Sequence, residues 1–153
     1  MAKDHLKIIA ENRKARHDYF IEDEYEAGMV LKGTEVKSLR QGRANLKDSY
    51  AKIRNGEVWV HQMHISPYPF AYYDNHDPVR IRKLLLHDYE IKKLSVKLNE
   101  RGYSLIPLRL YFREGKVKML LGLAKGKRQY DKRVSLRQRD QKRDMDRIRK
   151  DYK

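Results

Sequence analysis

Regular alternation of apolar and polar residues predicts a β-strand from Tyr19 to Leu31. Apolar side chains occupy every second position along much of this segment. Three glutamates, Glu22, Glu24 and Glu26, occupy positions of the opposite face. Because a strand points successive side chains to opposite sides, we expect the apolar face in the core and the glutamate face in solvent.

Two β-hairpins are predicted farther along the chain. The first lies in "DSYAKIRNGEVWVHQMHIS", where Asn55 and Gly56 separate two alternating runs and form a strong turn signal. The second lies in "YSLIPLRLYFREGKVKMLLGLAKG" and turns at Glu114 and Gly115. The inward-facing residues of this second hairpin are predicted to be Ile106, Leu108, Leu110, Phe112, Val117, Met119, Leu121 and Leu123.

Two short helices are predicted between these strands. The segment "GTEVKSLRQG" has Thr34 as its N-cap and places Ser38 on the helix surface. A second helix is predicted to end at Leu98, and His87 and Glu90 before it have the spacing of a capping box.

One more strand is predicted in "IRKLLL", where Ile81, Lys83 and Leu85 form one face and the alternate residues form the other. The proline-containing segment "SPYPFAYYDNHDPVR" before it predicts a long surface loop. Several short strands, mostly in antiparallel pairs, with two or three helices packed on them, predict a small α+β barrel. The oligonucleotide-binding barrel is one fold of this type, and strand spacing alone does not separate it from others.

Charge indicates the class of partner. The 153 residues carry a net charge of +15, which favours a polyanion as partner and, second, an anionic membrane surface. Thirteen of the basic residues lie in the last thirty positions, against five aspartates. We therefore expect an RNA-binding domain over residues 1–126 and a basic tail over 127–153. No apolar run approaches the length of a membrane span, and a polyanion is the first candidate partner, so we expect a cytoplasmic protein whose partner is not a membrane.

The sequence predicts no catalysis and no metal or cofactor. The segment "AKGKRQY" has one glycine and no apolar helix after it, so it does not match a phosphate-binding loop. His61 and His64 lie three residues apart on a predicted strand and face opposite sides, which is unsuitable for a shared metal. Ser38 lacks the surroundings of a nucleophile motif. The chain contains no cysteine, which excludes disulfides and thiol chemistry.

Basic residues interleaved with aromatic ones indicate RNA binding instead. The segment "NRKARHDYF" places basic residues beside Tyr19 and Phe20, rings that either stack on bases or begin the core. Lys37 and Arg40 share one face of a predicted helix. The candidate RNA-binding residues in these clusters and on the outward strand faces are Asn12, Arg13, Lys14, Arg16, His17, Lys37, Arg40, Lys83, Lys118, Lys125 and Lys127.

Several separated blocks of the sequence resemble the small protein B (SmpB) family of bacterial proteins. The blocks are "NRKARHDYFIEDEYEAGMVLKGTEVKSLRQGRANLKDSYAKI", "RKLLLHDYEI" and "GLAKGKRQYDKR". The resemblance implies an oligonucleotide-binding-like β-barrel without catalytic activity. It also implies a monomeric adaptor that binds the tRNA-like domain of transfer-messenger RNA and delivers this RNA to stalled ribosomes for trans-translation.

The resemblance further implies roles for individual residues. Glu26 in "YEAG", Leu85 in "RKLLL" and Lys118 in "KVK" match the family's contacts with transfer-messenger RNA. The tail is implied to be disordered when free and to fold into a helix in the vacant mRNA channel near the decoding centre. Its ribosome-binding residues are implied to be Tyr130, Asp131, Lys132, Arg133, Arg137, Arg143 and Ile148.

Composition alone leaves another function open. A ribosomal or assembly protein whose basic tail threads permanently into folded ribosomal RNA would have the same charge distribution. Only the blocks shared with the SmpB family favour the adaptor. A phosphate-handling enzyme would need a cleft with perturbed titratable groups, and the sequence gives no support for one.

Overall fold

The structure, a computed structural model, describes residues 6–71 and 73–127. This part of the chain forms nine strands and three helices. In chain order they are β1 (Leu6–Glu11), α1 (Arg13–Asp18), β2 (Tyr19–Met29), α2 (Gly33–Arg40), β3 (Ala44–Asn45), β4 (Tyr50–Arg54), β5 (Glu57–His61), β6 (His64–Ile65), β7 (Arg82–Leu85), α3 (Asp88–Leu98), β8 (Tyr103–Arg113) and β9 (Lys116–Gly126). The tail residues from Tyr130 to Ile148 lie outside the described residues.

Strand pairing closes a ring. Among the described strands the order β8-β4-β5-β7-β2-β9 returns to its start, because β9 pairs with both β2 and β8. Strand β1 pairs with the C-terminal half of β8. Strands β3 and β6 form a separate two-stranded sheet. All of these pairings are antiparallel. With the three helices, this arrangement confirms the predicted α+β, mainly antiparallel, barrel-like fold.

Both predicted hairpins form with their predicted turns. Asn55 and Gly56 have φ values of 53° and 73°, and Glu114 and Gly115 have φ values of 51° and 76°. Two successive positive φ angles are the geometry of the tight turn whose twist matches that of paired strands. The interior of the ring is filled by buried side chains that include Val58, Val60, Leu84, Leu105, Leu110, Met119 and Leu121.

The prediction that Ile106 and Leu108 of β8 face the main core is wrong. A bulge between Pro107 and Arg109 shifts the strand's alternation. As a result Ile106 and Leu108 leave the main core and pack in a second cluster with Ala15 of α1. Gly122 of β9 lies under this cluster, and a Cβ there would come within 2.8 Å of Leu108 Cδ1.

The first predicted helix forms as α2, but two of its details are wrong. Its N-cap position is Lys32 and not Thr34, whose hydroxyl instead lies 2.9 Å from Nδ1 of the buried His76. Ser38 is buried and not on the surface, because its hydroxyl donates to the carbonyl oxygen of Ser66 at 2.7 Å. These two hydroxyls fasten the long loop after β6 to α2.

A buried ion pair connects α2 to β7. The Glu35 carboxylate is fully buried and accepts hydrogen bonds from Arg82 and Arg80. Burial by itself raises the pKa of Glu35, but the hydrogen bonds from Arg80, the Lys32 backbone and Arg82 outweigh it and hold this pKa below its usual range. Alternation in "IRKLLL" places Arg82 inward, as observed, and Glu35 neutralises its buried charge.

Two elements at the start of the described chain were not predicted. Strand β1 pairs with the end of β8, and the six-residue helix α1 follows it directly. Asn12 is the N-cap of α1: its side-chain oxygen accepts the Ala15 backbone N–H at 3.2 Å. Helix α3 forms up to Leu98 as predicted, and the Glu90 carboxylate accepts the His87 backbone N–H at 3.1 Å.

Candidate nucleic-acid interface

One row of residues crosses four strands on the outer side of the ring. Strand register pairs Tyr111 of β8 with Lys118 of β9, Lys118 with Gly28 of β2, and Gly28 with Leu85 of β7. A Cβ on Gly28 would lie 3.4 Å from Leu85 Cβ and 3.8 Å from Lys118 Nζ. Leu85 and Lys118 therefore approach each other over a backbone that carries no side chain.

Glu26 lies two residues before Gly28 on the same face of β2. Its Oε2 accepts the Tyr111 hydroxyl at 2.6 Å and Arg113 Nη1 at 2.8 Å. Partial burial raises the pKa of Glu26, but these two hydrogen bonds outweigh it and keep the pKa below its ordinary value of 4.5. Glu26 is therefore an ionised acceptor at neutral pH.

The structure thus brings together the three residues implied as RNA contacts. Glu26, Leu85 and Lys118 form, with Gly28 and Tyr111, a surface that we call the β2 patch. Leu85 is an apolar side chain with charged neighbours, and it is 50% exposed. A cation, an acceptor and an apolar side chain on one surface suit a phosphate, a base or ribose donor, and a base face.

Tyr111 and Arg113, which orient Glu26, were missed from the sequence. Both belong to the run "RLYFR", where polar side chains alternate with apolar ones, so their outward direction was readable. Their contact with Glu26 depends on the pairing of β8 with β9 and of β9 with β2. Tyr111 lies 85 positions and Arg113 87 positions after Glu26 in the chain, so only this strand register brings them to its carboxylate.

The basic segment at the start of the chain forms α1 and lies over the second cluster. Ala15 is buried and anchors the helix, while Arg13, Lys14, Arg16 and His17 are exposed. Asn12 differs from these four because its side-chain amide donates to the carbonyl oxygen of Pro107 at 3.0 Å as well as capping the helix. Asn12 therefore stabilises the fold through these hydrogen bonds. Its RNA-binding role stays a prediction.

Two lysines at the end of β9 lie beside α1. Lys127 Nζ lies 5.0 Å above the ring of Phe20 and donates to the carbonyl oxygen of Arg16 at 3.4 Å. Lys125 Nζ lies 5.5 Å above the Tyr103 ring. The sequence did not decide whether Tyr19 and Phe20 stack on bases or begin the core. In the structure Tyr19 packs against the second cluster, whereas Phe20 is about half exposed. These basic and aromatic residues form a second surface, which we call the α1 end.

The remaining predicted cations lie on α2 and β7. Lys37 and Arg40 are exposed on one face of α2, and Lys37 Nζ lies 5.6 Å from the Tyr68 ring centroid. Lys83 on β7 donates to Glu57 Oε1 at 2.9 Å. Lys37 and Arg40 thus form a third basic surface, separate in the chain from the β2 patch and the α1 end.

The described residues contain no group of three or more His, Cys, Asp or Glu side chains arranged to hold a metal ion. His61 stacks on Tyr50 with ring centroids 5.2 Å apart, and His64 lies on the separate strand β6. Among the helices that the structure describes, none is long and apolar enough to cross a bilayer.

Comparisons with known proteins agree with the resemblance. A family model described as SmpB protein matches residues 9–151. An SsrA-binding protein of Geobacter sulfurreducens is 61% identical over 139 residues, which cover 91% of each chain, and one of Bacillus cereus strain G9842 is 58% identical over 151 residues, covering 99% of this chain and 97% of the relative.

A solved structure gives the same relation. A chain of the structure described as "tmRNA-SmpB: a journey to the center of the bacterial ribosome" is 51% identical and superimposes with a TM-score of 0.66. The match covers 77% of this chain and 83% of the other. By the family model and by these relatives, this chain belongs to the SmpB family.

Proposed function

We propose that this protein is an RNA-binding adaptor that binds the tRNA-like domain of transfer-messenger RNA and delivers it to stalled ribosomes for trans-translation. Relatives about 60% identical bear the name SsrA-binding protein. The 51% identical solved chain belongs to a structure described as tmRNA-SmpB and the bacterial ribosome. The protein acts in this role as a monomer in the cytoplasm, without a cofactor and without catalysing a reaction.

The observation that carries the proposal is the β2 patch. Lys118 neutralises a backbone phosphate, and Leu85 packs on the face of an unpaired base. Glu26 Oε2 is occupied by Tyr111 and Arg113, so Oε1 is the oxygen that accepts from a base amine or a ribose 2′-hydroxyl. A carboxylate is useful on an RNA-binding surface only if it is oriented, and these two donors orient it.

The other basic surfaces add phosphate contacts. In the α1 end, the exposed Arg13, Lys14, Arg16 and His17 adjoin Lys125 and Lys127, so helix and strand present their charges together. Lys37 and Arg40 on α2, and Lys83 on β7, extend the basic area along the ring. Such contacts increase affinity and its dependence on salt but carry little sequence information.

The basic tail has a separate role in the proposal. Residues 127–153 occupy the vacant mRNA channel near the decoding centre, where they fold as a helix against ribosomal RNA. Tyr130 stacks there, and the charges that face RNA are those of Asp131, Lys132, Arg133, Arg137 and Arg143, with Ile148 as an apolar contact. The support is compositional, since twelve Lys and Arg among these twenty-seven residues, with few apolar side chains, suit a polyanionic partner.

Sequencing the RNA that co-purifies with the tagged full-length protein tests the proposal. We expect one RNA of transfer-messenger size, and protein present on ribosomes in substoichiometric amount. Stoichiometric protein on ribosomal subunits, with ribosomal RNA alone, would overturn the adaptor in favour of a ribosomal protein. A variant truncated after residue 130 serves as the matched control: it should retain transfer-messenger RNA and lose peptide tagging.

A further inference from the structure

A second outer surface lies on β4, β5 and β7, and the tryptophan of β5 is at its centre. Register pairs Lys52 of β4 with Trp59, and Trp59 with Lys83 of β7. The indole thus has a lysine on each neighbouring strand. In the next row towards the end of β5, Tyr50 pairs with His61, and their rings stack at 5.2 Å and 1° between planes.

Lys52, Trp59 and His61 line an open cleft of about 590 Å³. Its lining residues are Lys52, Ile53, Arg54, Asn55, Glu57, Trp59, His61 and Ile81. Trp59 is partly exposed and Ile81 is 50% exposed, so the cleft offers an aromatic and an aliphatic surface to a ligand. A partly exposed tryptophan on the outer side of a sheet is not needed to fill the core, which Val58 and Val60 fill from the other face.

The charges of this cleft favour an anion. Two cations, Lys52 and Arg54, and one carboxylate, Glu57, line it, and Lys83 on the neighbouring strand β7 binds Glu57 at 2.9 Å. Lys52 Nζ lies 5.4 Å from the Tyr50 ring centroid. Over residues 6–71 and 73–127, neither Lys52 nor Arg54 has a carboxylate within 4 Å. Both remain available for phosphates.

The cleft and the β2 patch lie on either side of β7. Lys83 and Leu85 both lie on the outer face of β7. The strand that borders Trp59 therefore also carries the apolar residue of the patch. Neighbouring strands of a sheet lie about 4.8 Å apart. A ligand that leaves the patch across β7 therefore reaches Trp59 on the next strand.

We propose that Trp59 stacks on an unpaired nucleobase of the bound transfer-messenger RNA, with Lys52 and Arg54 holding the phosphates on either side. The inference deepens the proposed function and rests on it. A nucleic acid fits better than a protein partner because flat aromatic surface and cations alternate on this face, which is the arrangement that accepts bases and backbone together. Stacking accounts for a partly exposed indole that the core does not require.

Trp59 provides its own probe, since it is the one tryptophan of the 153 residues. We would titrate the full-length wild-type protein with a transcript of the tRNA-like domain while following indole emission, acrylamide quenching and, separately, complex formation by filter binding. We expect the emission to be quenched in step with binding, and the accessibility to acrylamide to fall. Because these readouts need no substitution, a variant that fails to fold does not affect them.

Substitutions at the same position give the second readout. Trp59→Leu keeps apolar volume but removes the aromatic face, and we expect it to weaken RNA binding by about fivefold to a hundredfold. Trp59→Phe is the matched control, because a ring remains, and it should lose clearly less. Thermal unfolding of both variants verifies that the compared molecules are folded.

The outcomes separate the inference from the proposed function. If the wild type binds the transcript while emission and acrylamide quenching stay unchanged, or if Trp59→Leu binds as well as Trp59→Phe, the stacking proposal is wrong and the adaptor function stands. If the wild type does not bind the transcript, both fail. A change in emission that occurs only with ribosomes, and not with the transcript, assigns the cleft to another partner and also overturns the inference.

Discussion

Glu35 and Glu26 are both bound by arginines, but they lie in two regions with opposite roles. Glu35 is fully buried between α2 and β7, and its two oxygens are taken by Arg80, Arg82 and the Lys32 backbone. Glu26 lies on the outer face, and both its described donors bind the same oxygen. In the first region every acceptor serves the fold. In the second, acceptor capacity remains for a partner, and this difference supports the proposal that the Glu26 surface binds RNA.

The largest expected effect is on stability, in the Glu35 region. Glu35→Gln leaves the buried Arg82 guanidinium without its counter-ion, and we expect the free energy of unfolding to fall by about 3–5 kcal/mol. Urea denaturation measures the loss. The double variant Glu35→Met with Arg82→Met is the control, and it should recover part of the stability since no unpaired charge remains.

A smaller effect, on RNA affinity more than on stability, is expected at Glu26. Glu26→Arg replaces the oriented acceptor with a cation beside Arg113 and Lys118, and we expect RNA affinity to fall about tenfold, or about 1.4 kcal/mol. The urea midpoint should fall too, because the hydrogen bonds from Tyr111 and Arg113 are lost, but by much less than for Glu35→Gln, whose charge partner is fully buried. Filter binding and denaturation on the same preparation test the contrast: a loss of stability as large as that of Glu35→Gln would make Glu26 a second structural carboxylate.

Within the β2 patch, salt dependence should distinguish two neighbours across Gly28. Lys118→Glu should lower the slope of log affinity against log salt by up to about one unit, because a phosphate contact is lost. Leu85→Asn should weaken binding and leave the slope as in the wild type. Titrations at four salt concentrations give both slopes, and equal slopes for Lys118→Glu and the wild type would remove the phosphate assignment.

The smallest effect is expected for Tyr111→Phe. This variant removes one of the two hydrogen bonds that hold the pKa of Glu26 below 4.5, so that pKa should rise towards its ordinary value. A carboxyl whose pKa is lowered by folding stabilises the native state above its unfolded pKa and loses that contribution as pH falls. We expect a cost of about 1 kcal/mol at neutral pH that becomes smaller under acid conditions, where Glu26 is protonated. A cost that is the same at pH 3 and pH 7 would contradict the role given to this hydrogen bond.

Sequence patterns predicted the features that depend on neighbouring residues. Alternation gave the outward positions of Lys118 and Leu85, and Asn-Gly and Glu-Gly turns gave both hairpins, because turn geometry and strand pleat are local. Helix α1 was missed because six residues show too little periodicity, although Asn12 is a typical N-cap.

The missed or mistaken features depend on contacts across the chain. The bulge in β8 moved Ile106 and Leu108 to another cluster. Pro107 in "LIPLRL" cannot donate to the ladder and is typical of a bulge, but alternation alone does not show which residue is the extra one. Ser38 was assigned to the surface because its partner, the Ser66 carbonyl, lies 28 residues away. The candidate site follows the same rule: Glu26, Leu85 and Lys118 were proposed from short motifs that resemble the family, whereas the contacts of Tyr111 and Arg113 required the strand register.

Strand β9 has a mechanical consequence. It is bonded along its length to β8 and for most of it to β2, and the chain leaves it at Gly126, next to Lys127. Tension applied beyond Lys127 along the direction of this strand acts in shear, so many ladder hydrogen bonds bear the load at once instead of opening one by one. A ribosome that pulls on the tail would thus pull on one of the ring's most extensively paired strands, and force would reach the β2 patch through Lys118 without first unravelling the ring.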